Sequence, residues 1–193
     1  MNQITFKQYR NIDLFLICVI TAVFEAIVTV ATNKWFSIQA MAVSITLAMT
    51  CIAIMRWTAY AVIPALVGSI AFCAASQATA VQYVIYCLGS IFCLLSIILV
   101  KLIGKDKLKN DFVWRSIFVL FTYIAIALGR WLVSLPFEAS LVTLINFLTT
   151  DILSLLFAIV VMTLVKNVDG LIEDQKTYWL RLDKEKKDQV SEI

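Results

Sequence analysis

Long apolar runs separated by short polar breaks make up most of the chain. Six of these runs are each about twenty residues long, the length that a helix needs to cross the hydrocarbon of a bilayer. None shows the ten-residue alternation that is typical of a membrane β-barrel. The pattern predicts an all-α integral membrane protein, a six-transmembrane-helix bundle with spans at residues 11–33, 36–55, 58–76, 81–103, 113–134 and 139–165.

Composition supports the membrane assignment. Hydrophobic residues make up 62% of the chain and charged residues 15%, whereas soluble domains average about half apolar and about a quarter charged residues. The first run, Ile12 to Thr32, is too long for the apolar core of a signal peptide, and no small-residue cleavage site follows it. We therefore expect a multi-pass protein of the cell membrane, specifically a bacterial plasma membrane.

Basic residues are distributed very unevenly among the polar breaks. With the head at residues 1–10 in the cytoplasm, only Lys34 and Arg130 of the 16 lysines and arginines lie outside the inner segments. This asymmetry is the positive-inside pattern and predicts that both termini are cytoplasmic. Tryptophans also mark the ends of spans, as interfacial rings do, at Trp35, Trp57, Trp114 and Trp131.

The tail at residues 166–193 follows the transmembrane domain at 11–165 and is strongly charged. Its apolar residues fit one stripe of a helix, consisting of Leu171, Ile172, Trp179, Leu180 and Leu182. Two interpretations are equally open: an amphipathic helix on the inner leaflet, or a solvated helix with frayed ends. Beyond Leu182, the abundance of Lys, Glu and Asp predicts disorder.

Several classes of chemistry are excluded or disfavoured. The chain has no histidine, which removes histidine-dependent catalysis and histidine metal sites. It has no Walker A loop, so we expect no ATP site of its own. Its five cysteines lie in apolar runs without a C-x-x-C pair and are interpreted as packing residues. We expect no enzyme, no metal, no cofactor and no nucleic-acid partner.

Three ionisable residues lie inside the predicted spans: Glu25, Arg130 and Asp151. Each costs at least about 2.5–3.5 kcal/mol at mid-membrane and therefore needs a partner or a wet cavity. At 1.5 Å per residue from the outer ends, they lie about 12, 7 and 18 Å deep, and Asn146 lies about 10 Å deep. All four residues therefore fall in the outer half of the membrane or near its midplane.

Three interpretations of this clustering stay open. One is a ligand pocket that opens outward, lined by Glu25, Arg130, Asn146 and Asp151 and by Gln82 and Tyr83 from a nearby outer link. A second is an ion pair of Arg130 with Glu25 or Asp151 that only fixes helix packing. The third is a proton or ion relay. Two acids against one base leave a surplus negative group, which favours the pocket.

The first span also carries the pattern Ala22-x-x-x-Ala26, within Ala22-Val23-Phe24-Glu25-Ala26. Small residues four apart let another helix approach closely. The partner is either another helix of the same chain or a separate membrane subunit.

Taken together, the six spans, the A-x-x-x-A pattern and the outward polar groups resemble the substrate-binding S component of energy-coupling factor (ECF) transporters. The resemblance implies capture of a vitamin or related micronutrient at the outer face. It also implies docking through Ala22 and Ala26 onto a transmembrane coupling subunit that carries two ATPase subunits. The pocket would draw on Gln82, Tyr83, Arg130, Asn146 and Asp151.

The leading functional hypothesis is therefore a membrane-embedded solute-binding subunit of an uptake transporter, surrounded by membrane lipid. The surplus of acidic groups favours a neutral or amine-bearing heterocycle over a multiply anionic solute, and a solute whose carboxylate binds Arg130 stays an open alternative. The alternative is a non-transport accessory or assembly subunit that holds a larger membrane complex together.

Overall fold

The computed structural model describes residues 5–35, 42–168 and 170–181, and all regular structure within these ranges is helical. The helices are α1 (Phe6–Trp35), α2 (Thr46–Trp57), α3 (Val62–Ala75), α4 (Ala80–Ser90), α5 (Ser96–Ile103), α6 (Lys105–Asn110), α7 (Phe112–Ser134), α8 (Leu141–Thr150) and α9 (Ile152–Val165). Short 3-10 segments join α2 to α3 and α4 to α5. Residues 175–181 form a further helical segment. The predicted all-α class is confirmed.

Four helical stretches are long and apolar enough to cross a membrane. They are Phe6–Lys34, Thr46–Ala75, Ala80–Ile103 and Phe112–Phe137. Helices α8 and α9 meet the same criterion as a pair bent by 44°, which makes a fifth stretch if the pair is one span. Helix length and composition are therefore compatible with a multi-pass membrane protein.

Helix α1 has one buried stripe and one broad apolar exposed face. Leu14, Ile17, Thr21 and Glu25 are buried at spacings of three and four residues, which places them on one side of the helix. The other side exposes large apolar residues, among them Phe15, Leu16, Val23, Phe24 and Ile27. An exposed apolar face of this size is typical of a helix that contacts lipid.

The stretch from α2 to α3 folds back on itself. A straight helix would hold Thr46 and Gly68 about 33 Å apart at 1.5 Å per residue. Instead, a Cβ atom added to Gly68 would lie 2.2 Å from the Thr46 hydroxyl oxygen, so only glycine permits this approach. The reversal begins at Thr58, whose φ of 53° and ψ of −107° interrupt the helix. Helices α2 and α3 therefore form an antiparallel hairpin.

Helix α2 occupies the centre of the bundle. Eleven of its 12 residues are buried, and it packs against α1, α3, α7 and α9. Two acidic residues of α1, Asp13 and Glu25, hold its two ends. They are twelve positions apart, about 18 Å along α1, and 12 residues of α2 cover the same length.

Asp13 anchors the last turn of α2. Its carboxylate accepts hydrogen bonds from the Arg56 guanidinium at 3.0 and 2.6 Å and from the Trp57 indole N–H. Arg56 also donates to the carbonyl oxygens of Gly170 and Leu171 at 3.0 and 3.3 Å. We call this end of the bundle the basic end, and it also contains Arg10, Lys105 and Lys109.

The start of the tail packs onto the basic end. Ile172 and Gln175 are buried, and the Tyr9 hydroxyl donates to Gln175 Oε1 at 2.8 Å. Two ion pairs join the tail to α6, Lys105 with Asp174 and Lys109 with Glu173. Residues 170–181 therefore contact protein, which neither sequence-based interpretation of the tail included. Leu182 and the charged end lie outside the described residues.

Three predicted boundaries are corrected by the structure. The span predicted at 36–55 is helical only from Thr46, because residues 42–45 are not helical; residues 36–41 lie outside the described ranges. The span predicted at 139–165 consists of two helices that separate at Asp151. The polar break between the spans predicted at 81–103 and 113–134 contains α6. The non-helical residues 42–45 lie where side chains of other helices, Glu25 and Ser154, accept hydrogen bonds from backbone N–H groups.

Replacing Gln175 by alanine is expected to loosen the tail without unfolding the bundle. The side chain accepts a hydrogen bond from Tyr9 and donates to the Gly170 carbonyl at 2.6 Å, so its loss costs about 1–2 kcal/mol of local stability. Limited proteolysis with chymotrypsin should then cut after Tyr178 about tenfold faster. Lys176→Ala is the control, since Lys176 is exposed. Equal cleavage rates in the two variants would contradict this role for Gln175.

Candidate functional site

Glu25 of α1 forms the N-terminal cap of α2. It is fully buried, and its Oε2 atom accepts hydrogen bonds from the backbone N–H groups of Ile45 and Thr46 at 2.8 and 2.9 Å. The hydroxyls of Ser44 and Thr46 donate to the same oxygen at 3.0 and 2.8 Å. The first N–H groups of a helix lack intrahelical partners, and the positive end of the helix favours an anion. Ser44 Oγ also accepts from the Thr46 N–H at 3.2 Å, and Glu25 therefore supplies the charged part of a cap to which Ile45 contributes no side chain.

Residues 42–45 are half-buried, have no helical structure and are held by α8 and α9. The Ala42 N–H donates to the Thr150 carbonyl oxygen at 2.9 Å, and the Ser44 N–H donates to Ser154 Oγ at 2.8 Å. The Ser154 hydroxyl donates in turn to the Ala42 carbonyl oxygen at 3.3 Å. Irregular backbone at membrane depth is tolerated where protein satisfies its polar groups, as here. The start of α2 and the break between α8 and α9 thus meet at one place.

Asp151, at the break between α8 and α9, forms an ion pair with Arg130 of α7. Arg130 Nη1 donates to Asp151 Oδ2, and both side chains are largely buried. The guanidinium carbon of Arg130 also lies 4.3 Å from the centre of the Tyr86 ring, which is a cation–π contact. An unpaired charge at this position would be costly. The pair and the ring together explain how both charges are accommodated between apolar helices.

Two glycines bring α4 and α7 close enough for the cation–π contact. A Cβ atom on Gly89 would lie 2.7 Å from Arg130 Cα, and one on Gly129 would lie 2.5 Å from the Gly89 carbonyl oxygen. Any larger residue at either position would push the two helices apart. Tyr86 precedes Gly89 by about one turn of α4, and therefore lies beside Arg130.

A cavity of about 180 Å³, which we call the end cavity, lies at the end of the bundle opposite the basic end. Its polar lining consists of hydroxyl and amide side chains, from Thr29, Thr32, Asn33, Ser76, Gln82 and Thr150. Phe72 and Tyr86 add two aromatic side chains, and none of the described lining residues carries a charge. The Thr29 hydroxyl is buried and has no hydrogen-bond partner among the described residues. This lining suits an uncharged polar molecule.

Two adjoining recesses of about 10 and 30 Å³, which we call the inner recesses, lie deeper in the bundle. The ion pair lines both of them, together with Ser44, Thr46 and Ser69. Ser69 Oγ, Arg130 Nε and Glu25 Oε1 are buried without a hydrogen-bond partner in the part of the chain that the structure describes. Ordered water commonly satisfies such groups, and a volume of about 10–15 Å³ is enough for one molecule.

The three charged residues predicted for the site belong to one buried cluster, but their roles differ. Arg130 pairs with Asp151, and of the two predicted ion pairs this is the one that forms. Glu25 joins the cluster through its hydrogen bonds to Ser44 and Thr46, which line the inner recesses. Glu25, the acidic residue that does not pair with Arg130, therefore serves as a helix cap.

The other predicted site residues are more scattered. Gln82 lines the end cavity, whereas Tyr83 and Asn146 line neither this cavity nor the inner recesses. Asn146 is exposed on α8. Ala22 and Ala26 are half-buried beside the packed stripe of α1, and their predicted contact with a partner subunit stays a prediction.

Sequence reasoning missed the residues that make most of the polar and aromatic contacts here, Ser44, Thr46, Phe72, Tyr86 and Ser154. Hydroxyls in apolar helices give a weak signal, because they usually bond to a carbonyl of their own helix, as Thr21 does to Ile17. Aromatic residues are equally common in spans. The one available signal was Gly89, a small residue one turn after Tyr86.

Within the described residues, fold and site together define an all-helical protein with helices long and apolar enough to span a membrane and a polar cavity system inside the bundle. Within the described ranges, no group of three or more Cys, Asp or Glu side chains is arranged to hold a metal ion. No protein-family model matches the chain, and neither a curated protein nor a solved structure is found to be similar to it. Its function is therefore inferred from the geometry.

Proposed function

We propose that this chain is the substrate-binding subunit of a membrane uptake transporter. The end cavity captures the solute, and a separate coupling subunit with two ATPase subunits drives its uptake. The observation that carries the proposal is the polar interior where the break between α8 and α9 meets the non-helical residues 42–45. In transporters, interrupted helices of this kind mark solute sites, and ionisable residues inside spans mark functional sites.

We also propose six membrane crossings with both termini in the cytoplasm. The α2–α3 hairpin supports a second and third crossing in place of one, and the bent pair α8–α9 supports the sixth. The start of α1 and residues 170–181 meet at the basic end, which supports a common side for the termini. The excess of lysine and arginine at this end favours the cytoplasmic side.

The proposed solute is a small uncharged or amine-bearing heterocycle, in the class of vitamins and related micronutrients. The end cavity of about 180 Å³ is similar in size to a cavity of roughly 150 Å³ that accommodates benzene. Its uncharged lining fits hydrogen-bonding ring atoms better than a multiply anionic group. Phe72 and Tyr86 provide surface against which a planar ring packs. The resemblance to S components leads to the same class.

An accessory subunit without transport activity is the second candidate. The observation that favours it is that each of these charged groups has a partner within the chain, since Arg130 pairs with Asp151 and Glu25 caps α2. A cluster of this kind is sufficient to stabilise the bundle. Under this alternative, Asp151→Asn leaves activity intact while Ala22→Leu disrupts assembly with a partner.

Binding by the purified protein tests the transport proposal. A panel of vitamins and nucleobase-like compounds should contain at least one that raises the melting temperature, because a ligand of the folded state stabilises it. Thr29→Val removes the unpartnered hydroxyl of the end cavity and should weaken binding about three- to tenfold. Thr21→Val, on the same face of α1, removes a hydroxyl that bonds within its own helix and should leave affinity unchanged.

Absence of any stabilising compound, together with purification of the protein without a bound solute, would count against a binding subunit and in favour of the accessory role. Equal affinities of the Thr29→Val and Thr21→Val variants would place the solute outside the end cavity.

A further inference from the structure

Two aromatic side chains stand between the end cavity and the inner recesses. Phe72 of α3 and Tyr86 of α4 stack with their ring centres 5.1 Å apart and their planes at 25°. Both residues line the end cavity, and both also line the smaller inner recess. The stacked pair is therefore the wall that the two spaces share.

The end cavity and the inner recesses, on the two sides of the aromatic pair, differ in the chemistry of their lining. The end cavity has only uncharged lining residues among those described, whereas the inner recesses contain the Arg130–Asp151 ion pair. Ser69 Oγ and Arg130 Nε face this interior region without a hydrogen-bond partner in the described chain. The two rings therefore lie between a solute in the end cavity and these groups.

Tyr86 is held by contacts on three sides. It stacks on Phe72, meets the edge of the Phe147 ring at 6.2 Å, and lies under the Arg130 guanidinium at 4.3 Å. Movement of this one ring off Phe72 therefore changes the environment of Arg130 at the same time. The close approach of α4 to α7 at Gly89 keeps the ring and the guanidinium together.

We propose that Phe72 and Tyr86 form an internal gate, closed in this structure, which separates the end cavity from the ion pair. When the rings part, the spaces merge and Arg130 and Asp151 become accessible from the end cavity. Tyr86 is also a positioning residue, because its ring holds the guanidinium in place. The gate rests on the proposed function for its purpose, but its existence can be tested without any ligand.

Cysteine labelling measures the gate directly in the full chain. In a background with all five native cysteines replaced, Ser76→Cys reports on the end cavity and Ser69→Cys on the inner recesses. A small thiol-reactive methanethiosulfonate reagent should label Ser76→Cys quickly and Ser69→Cys at least about tenfold more slowly. Adding Tyr86→Ala should accelerate labelling of Ser69→Cys about tenfold, the factor expected for loss of one aromatic contact.

Two further variants separate the gate from a general loosening of the bundle. Tyr83→Ala, on the same helix but lining neither the end cavity nor the inner recesses, should leave both labelling rates unchanged. Phe72→Leu keeps an apolar side chain and should accelerate Ser69→Cys as Tyr86→Ala does, which provides a second measurement if Tyr86→Ala reduces folding. Melting temperature and gel filtration verify that each variant is folded.

Equal labelling of Ser69→Cys with and without the aromatic pair, in folded protein, would overturn the gate. So would acceleration by Tyr83→Ala to the same extent. A gate that behaves as expected in a protein that binds no compound of the panel would leave the gate standing and count against the proposed function, so the two failures are distinguishable.

Discussion

Replacing Glu25 by alanine is expected to lower the free energy of unfolding by about 3 kcal/mol or more, because several buried donors lose their acceptor together. Oε2 of Glu25 accepts bonds from Ser44, Ile45 and Thr46, and all of these groups lie at the start of a helix surrounded by protein. At this buried position, leaving these donors without the carboxylate carries a large free-energy cost. Thermal unfolding of the purified protein in detergent, followed by circular dichroism, measures the loss.

Glu25→Gln separates the shape of the cap from its charge. The amide retains one acceptor oxygen but loses the negative charge that interacts with the positive end of α2, so we expect an intermediate loss of about 1–2 kcal/mol. Glu138→Gln is the matched control, because Glu138 is exposed. If Glu25→Ala and Glu25→Gln both melt at the same temperature as this control, the capping role is wrong.

Breaking the Arg130–Asp151 ion pair from one side is expected to be equally damaging. Arg130→Met leaves the Asp151 carboxylate buried without its partner, and Asp151→Leu does the same to the guanidinium. Each single change should cost about 3–5 kcal/mol, whereas the double variant should recover most of the loss, as buried pairs replaced by apolar residues commonly do. The difference between the double variant and the sum of the singles is the coupling of the pair.

The double variant also distinguishes the two proposed functions. A folded Arg130→Met/Asp151→Leu protein that no longer binds or transports solute supports a binding subunit, while one with full activity supports a structural pair. Lys105→Met/Asp174→Leu is the control for charge removal in general, since this pair is partly exposed and should contribute less than about 1 kcal/mol. A double variant that stays as unstable as the worse single variant would contradict the direct pairing.

Much of the helical framework was predictable from local pattern. The span predicted at 113–134 agrees closely with α7, Phe112–Ser134. Asp111 precedes it, and its carboxylate accepts a hydrogen bond from the Val113 N–H at 2.8 Å, as a residue of this type does before a helix. In this region the apolar run and the polar residue that starts the helix are adjacent in the chain, so the sequence contains both signals.

The non-helical conformation of residues 42–45 and the break at Asp151 were not predictable in the same way. The sequence Ala42-Val43-Ser44-Ile45 contains neither glycine nor proline, and its polarity permits a continuous helix. The non-helical conformation of these residues is stable because distant side chains accept hydrogen bonds from their backbone N–H groups. These side chains are Glu25, about twenty positions earlier, and Ser154, about 110 positions later. Because these partners are distant in the chain, the local sequence contains little signal for a non-helical conformation.

The sequence by itself determined the helical class, the apolar character of the surface and the concentration of basic residues at one end of the bundle. These properties depend on side-chain hydrophobicity and charge along short stretches of chain. Only the tertiary structure decided that Asp151 rather than Glu25 pairs with Arg130, that Glu25 caps α2, and that Phe72 and Tyr86 line both the end cavity and the smaller inner recess. The physical reason is that hydrogen bonds, ion pairs and ring contacts act over a few ångströms, and the groups they join here come from helices far apart in the chain.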